Sequence, residues 1–173
     1  MAEPKIADRH RWALDMLAVD PSDRILEIGC GNGSMAALIC GCLTDGTITA
    51  VDRSVNGIRE AEIRNAESIA RGKARFVAAS VHEADFDSSL YDKAFAVNVN
   101  LFWMKADREL AAVRKLLKPE GTLYLFNQPP AADKIDSIAD ATSRNLTKAG
   151  FAVLSVVVGE QRPVPVLGVI AKP

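Results

Sequence analysis

The stretch Arg24-Ile25-Leu26-Glu27-Ile28-Gly29-Cys30-Gly31-Asn32-Gly33 leaves this chain few choices of fold. A short apolar run ends in an acid and three alternating glycines, and the apolar pattern Ser34-Met35-Ala36-Ala37-Leu38-Ile39 follows at once. That order predicts a strand, a tight loop and a helix. Glycines let the chain turn sharply, expose its N–H groups and leave no side chain in a ligand's way. The stretch therefore predicts a cofactor loop at the end of a buried strand.

The spacing narrows the cofactor. A dinucleotide fingerprint counted from Gly29 would place its third glycine at position 34, which is Ser34; here the glycine stands one residue earlier, at Gly33. With Glu27 before the loop, the pattern Glu-x-Gly-x-Gly-x-Gly resembles the first motif of class I S-adenosylmethionine-dependent methyltransferases. The resemblance implies S-adenosylmethionine as cofactor, with Glu27, Gly29, Cys30, Gly31 and Gly33 at its site.

Length and composition fit one compact unit and make nucleic acid a poor partner. The chain has 173 residues, 49% hydrophobic content and a net charge of −1, so one substantial core is expected and no basic field is available for a phosphate backbone. No long apolar segment suggests a signal peptide or a membrane span, and a cytoplasmic protein is expected. Cys30, Cys40 and Cys42 lack the spacing and partners of a zinc site. They are expected to be buried free thiols, with no metal.

Ile6, His10, Ala13, Leu14 and Leu17 recur at helical spacing before Asp20-Pro21, with Pro4 near the start. In the family such a helix often lies over the cofactor and borders the acceptor pocket, which makes His10 a catalytic candidate. The alternative is that Trp12 packs in the core and His10 is a surface or satisfied residue.

Gly46 to Asp52 reads as a second, β-branched strand ending in an acid about twenty residues beyond the glycines. Ligands gather at the carboxyl ends of parallel strands, so Asp52 is expected to accept hydrogen bonds from ribose hydroxyls, with Arg53 flanking adenine. Ser54 should cap the following helix. Glu60–Arg64 and Glu67–Arg71 are i,i+4 pairs on its solvated face, and Gly72 ends it. Ala74 to Ser80 gives a third strand. Where the family commonly has an acid that bonds the adenine amino group, this chain has Ser80, followed by Val81; His82, Glu83 or Asp85 are candidate substitutes.

Tyr91 to Val97 reads as a buried strand that runs into Asn98-Val99-Asn100-Leu101-Phe102-Trp103. Family likeness assigns the backbone at Asn98 to the cofactor's amino group. Asn100 is a candidate for orienting an acceptor. Phe102 and Trp103 either wall an apolar or aromatic substrate or close the core. The stretch lacks the Asn/Asp-Pro-Pro-aromatic signature of methylases acting on nucleobase amino groups.

Asp107 is expected to cap the next helix, and Leu116-Leu117-Lys118-Pro119-Glu120-Gly121-Thr122-Leu123 again resembles the family. Two final strands are joined by a short Gly/Pro segment, which permits a hairpin, whereas a parallel crossover needs a dozen or more residues. The expected fold is α/β: one domain over 1–173, a three-layer sandwich on a seven-stranded, mostly parallel sheet. Its order by family analogy is 3-2-1-4-5-7-6, with strand 7 antiparallel. Residues 1–20 form the N-terminal helix over the site and 24–173 the Rossmann-like core.

The resemblance implies methyl transfer to a small-molecule acceptor by in-line displacement, achieved mainly by positioning. An open acceptor site without insertions leaves room for a second subunit, so a homodimer is possible. An NAD(P)-dependent oxidoreductase would share the loop and Asp52 but wants the later glycine and no closing hairpin. A non-catalytic S-adenosylmethionine-binding regulator is the other alternative.

Overall fold

The computed structural model describes residues 6–86 and 90–173. The helix start at Pro4 therefore lies outside the described residues. The strands are β1 (Arg24–Ile28), β2 (Thr47–Asp52), β3 (Ala74–Ala78), β4 (Tyr91–Val97), β5 (Leu117–Asn127), β6 (Ala152–Val158) and β7 (Leu167–Lys172). They form one sheet in the order β3-β2-β1-β4-β5-β7-β6. β1 to β5 pair in parallel, and β7 runs antiparallel to both β5 and β6. This is the expected topology.

Strand periodicity divides the core between the two faces. Alternate residues point to opposite sides, so Ile25 and Glu27 face one layer while Leu26 and Ile28 face the other. On the first face α1 (Asp8–Leu17) and α2 (Ser34–Cys42) bury Leu17, Met35 and Ile39 against Ile25, Phe95 and Phe126. α3 (Val55–Arg64) adds Ile58 over Ala50. On the second face α6 (Asp107–Leu116) and α7 (Ile135–Lys148) bury Leu110, Val113, Ile138 and Leu146 against Leu26, Ala94, Leu123 and Val169. Trp12 meets Phe126 edge-on at 5.7 Å between ring centres, so it is packing rather than chemistry.

Several local expectations change. Ser54 does cap α3, accepting from the Gly57 N–H at 3.0 Å. The helix is broken at Asn65, however, and resumes as α4 (Ala66–Ala70). Asn65 is buried and its amide bonds the carbonyls of Ala61 and Gly33, so the chain trades helical continuity for a tie to the glycine loop. Glu67 and Arg71 pair at 2.6 Å, whereas Arg64 turns instead to the Asn32 carbonyl at 3.0 Å. Asp107 lies in the first turn of α6, with Ala106 at the cap position; its carboxylate meets Lys148 at 2.9 Å. Of the three thiols, Cys30 and Cys40 are buried, but Cys42 is exposed because it ends α2 on the side away from the sheet.

At the amino ends of the strands, Asp23 pairs with Lys93 at 2.6 Å and Asp92 with Lys118 at 2.6 Å. These charges staple the end of the sheet opposite the glycine loop, and leave the carboxyl ends of β1 to β4 for the site.

Candidate active site

At the carboxyl end of β1 the backbone turns through Gly29, Gly31 and Gly33, all at positive φ. Gly33 begins α2 at φ 71°, and a Cβ there would stand 2.8 Å from the Ala61 Cβ and 2.7 Å from the Asn65 amide. Only glycine satisfies both the left-handed backbone and that close approach. Gly31 differs, because a Cβ at its φ of 52° would project into open space. The third glycine thus serves helix packing and the second faces an open cavity.

The loop does not present a cradle of free N–H groups, as its glycines had suggested. Gly29 and Cys30 both donate to the Val51 carbonyl, at 2.8 and 3.1 Å, and Gly33 donates to the Cys30 carbonyl at 2.9 Å. The Gly31 N–H donates to Asp52 Oδ2 at 2.8 Å, while Ser54 donates to Asp52 Oδ1 at 2.8 Å. β1 and β2 therefore end side by side, with the carboxylate locked onto the loop. A pyrophosphate needs several free donors at such a turn; these are already engaged.

Asp52 and Arg53 share a cavity of about 560 Å³ with Ile28, Val51, Ser80 and Val81. Leu101, Met104 and Glu109 close its far side. A carboxylate has roughly four acceptor positions, so Asp52 keeps capacity for a diol beyond its two backbone bonds. Ser80 lines this cavity, and its hydroxyl donates to the Glu83 carboxylate. Of the candidate substitutes, His82 lies against Glu109 at 3.3 Å and lines a separate cavity. Glu109, on α6, is the other carboxylate that lines the cavity of Asp52. Nothing near Ser80 in sequence points to it, because it arrives from a helix about thirty residues later.

A second cavity, about 210 Å³, lies on the other side of Gly29 and is lined by Arg9, His10, Glu27, Cys30, Gly31 and Met35, among others. Glu27 is only 3% exposed, and its Oε2 has no hydrogen-bond partner. Burial first, and the Asp52 carboxylate second, push its carboxyl up to about 8, so it holds a proton at neutral pH. The Cys30 thiol is also pushed up, by burial and then by Glu27 and Asp52, which leaves it a poor nucleophile. His10 is pulled down by burial and by the Arg9 guanidinium, so its imidazole is neutral.

A third cavity, about 670 Å³, opens between β4, β5 and the start of α7. Asn100, Trp103, Gln128, Pro129, Lys134 and Ile138 line it. The aromatic pair divides: Phe102 is packed into the core at 2% exposure, whereas Trp103 borders the cavity. They part because residues 101–104 form a short helix, α5 (Leu101–Met104), which turns neighbouring side chains about 100° apart.

Asn98 borders all three spaces. It holds a left-handed backbone, φ 57°, which asparagine tolerates better than most residues. Its N–H donates to the Phe126 carbonyl at 2.9 Å, and its Oδ1 accepts from the Gln128 N–H at 2.7 Å. One side chain thus ties the end of β4 to the end of β5 where the cavities meet. The two catalytic candidates fall apart around it: His10 lines the Glu27 cavity, and Asn100 lines the first and third.

A parallel sheet with a glycine turn at β1, a carboxylate at β2 and a closing antiparallel hairpin defines a nucleoside-binding α/β enzyme of the class I methyltransferase type. The model of the methyltransferase domain family matches residues 25–121, and the chain belongs to that family: it is an S-adenosylmethionine-dependent methyltransferase. It is 25% identical over 154 residues to the uncharacterized methyltransferase YdaC of Bacillus subtilis, covering 85% of this chain and 81% of that protein. It is 27% identical over 175 residues to an O-methyltransferase of Pyrenophora dematioidea, covering 92% of this chain but only 65% of that longer protein. Among solved structures, a SAM-dependent methyltransferase from Aquifex aeolicus superposes with a TM-score of 0.77 at 15% identity, over 94% of this chain and 88% of the other. That last likeness concerns the fold.

Proposed function

We propose that the protein transfers the methyl group of S-adenosylmethionine to a small-molecule acceptor seated in the cavity between Asn100, Trp103 and Gln128. The observation that carries this reading is the position of Asn98, on the border of both donor-sized spaces and of the third cavity. When bound, S-adenosylmethionine supplies an electrophilic methyl on a sulfonium. The residues present suit that ligand: a carboxylate with spare acceptors for a ribose diol, apolar Ile28, Val51 and Val81 for a purine, and an orphaned buried carboxyl for an ammonium.

The chain's contribution is positioning. Asp52 fixes the ribose, Asn98 fixes the two strand ends against each other, and Trp103, Pro129 and Ile138 exclude water from the acceptor side. Among the described residues lining the acceptor cavity, Lys134 is the only titratable group. The reading therefore favours an acceptor whose nucleophilic atom arrives with a free lone pair, with Asn100 orienting it. His10, on the Glu27 side of Asn98, is not cast as the base.

Calorimetric titration with S-adenosylhomocysteine and, separately, NAD tests the donor assignment. Binding of the first and not the second is expected. NAD binding without S-adenosylhomocysteine binding would overturn it in favour of the dehydrogenase reading.

A further inference from the structure

The cavity between β4, β5 and α7 holds no acid and has hydrogen-bond donors to spare. None of the described residues lining it is an aspartate or glutamate, and Lys134 is their one charged side chain. Lys134 meets Asp133 at 3.5 Å, an exposed pair that solvent screens and that leaves the ammonium available to an anion. Some polar groups of the wall are spoken for. Asn98 Oδ1 accepts from the Gln128 N–H, Gln128 Nε2 donates to the Val164 carbonyl at 2.7 Å, and the Ser137 hydroxyl donates to the Lys134 carbonyl at 2.9 Å. Three are not. The Trp103 indole N–H is buried with no partner. Asn127 is only 9% exposed, and its side-chain amide, like that of Asn100, makes no hydrogen bond with any described residue.

An indole N–H can only donate, and a donor left unpaired out of water is costly. This wall therefore suits a ligand rich in acceptors. A carboxylate brings roughly four acceptor positions and a charge that Lys134 complements, whereas an ammonium meets no carboxylate here. A carboxylate also needs no base, because it is already ionised at neutral pH with its lone pairs free. Buried Pro129 and Ile138 favour a step in which opposite charges vanish, since charge is poorly solvated beside them.

We propose that the acceptor is an apolar carboxylate, held as the anion by the Trp103 indole N–H, the Asn127 amide and the Lys134 ammonium, and methylated on oxygen. The inference rests on the methyl-transfer reading and names its substrate class. One carboxylate oxygen uses a lone pair to form the new O–C bond as the methyl–sulfur bond breaks, and the pair of the broken bond stays on sulfur. Anion and sulfonium become a neutral ester and a neutral thioether, and no proton moves.

The test uses the full chain and begins with S-adenosylhomocysteine. Onto the saturated protein are titrated phenylacetate, phenylacetamide, 2-phenylethylamine and 2-phenylethanethiol, which share a ring and differ in the head group. Phenylacetate should bind about tenfold or more tightly than the other three, the scale of charge-assisted hydrogen bonds. With S-adenosylmethionine it should yield the methyl ester, read by mass spectrometry, without acidifying a weakly buffered solution. Methylation of the amine or the thiol would release one proton per turnover. Trp103→Phe keeps a ring and loses the N–H, and should weaken phenylacetate by about tenfold. Lys134→Met, at an exposed site that does not threaten the fold, should weaken it by about threefold and reduce its salt dependence. Neither variant should alter S-adenosylhomocysteine affinity.

Phenylacetamide, the amine or the thiol binding as tightly as phenylacetate overturns the proposal, as does turnover of the amine or thiol with no ester formed. Unchanged phenylacetate affinity in Trp103→Phe overturns the role of the indole, and in Lys134→Met that of the ammonium. Failure of the wild type to bind S-adenosylhomocysteine sinks the donor reading and this one with it. Binding of S-adenosylhomocysteine without phenylacetate binding sinks this one alone.

Discussion

Replacing Asp52 with alanine separates a ligand-binding role from a structural one, because both can be sized from the geometry. The carboxylate now accepts two backbone N–H bonds, from Gly31 and Ser54, each at 2.8 Å. Those donors lie at a partly open loop, so water replaces much of the loss, and the fold should give up about 1 kcal/mol. At this chain length that corresponds to a fall in Tm of roughly 2–4 °C. Two ribose hydroxyl bonds to an ionised acceptor carry more: at about 1.5 kcal/mol each, near the low end for charged partners, they sum to about 3 kcal/mol, or roughly a hundredfold in Kd. Asp52→Asn should fall between, because its NH₂ must face one of the two N–H donors. Calorimetry with S-adenosylhomocysteine and a melting curve on each variant give both numbers. An alanine variant that binds within about threefold of wild type would show that Asp52 shapes the loop without touching the ribose. A Tm loss above about 10 °C would show that its structural share had been badly undersized.

Gly33→Ala combines a left-handed backbone with a Cβ 2.8 Å from Ala61 and should cost about 3 kcal/mol. Gly31→Ala, with open space before it, should cost only about 1 kcal/mol; equal denaturation midpoints would contradict this division of labour. The raised Glu27 carboxyl makes the ligand-free fold bind a proton that the unfolded chain releases between pH 4.5 and about 8. Its stabilising share is therefore complete below the lower value and disappears as pH rises through the upper one, with a slope of up to about 1.4 kcal/mol per pH unit. Urea melts across that window should show the decline, and Glu27→Gln should flatten it; a flat wild-type profile would count against the protonated acid. Lys93→Met strands the largely buried Asp23 carboxylate and should destabilise by about 3 kcal/mol without altering S-adenosylhomocysteine affinity. Altered affinity would couple the two ends of the sheet.

The fold was legible because it is written in local signals: apolar runs for parallel strands, proline and glycine at Lys118–Gly121, and a link too short for anything but a hairpin. Asp52 was legible for the same reason, as an acid at a strand tip a fixed distance from the glycines. What escaped was long-range bonding. Nothing near Gly29 announces that its N–H belongs to Val51, and nothing near Ser80 announces Glu109. The break at Asn65 was missed because asparagine is a weak helix interrupter unless a distant acceptor, here the Gly33 carbonyl, draws its amide away. Phe102 and Trp103 could not be told apart until the chain between strands coiled into a short helix.

The Asn65 tie also bears on how the enzyme would release its product. Anchored from behind to the break between α3 and α4, the glycine turn presents the same floor to an incoming sulfonium and to the departing neutral thioether. If the donor rests on this turn, its floor is braced by the Asn65 amide, and any discrimination between donor and product falls to the side chains around it.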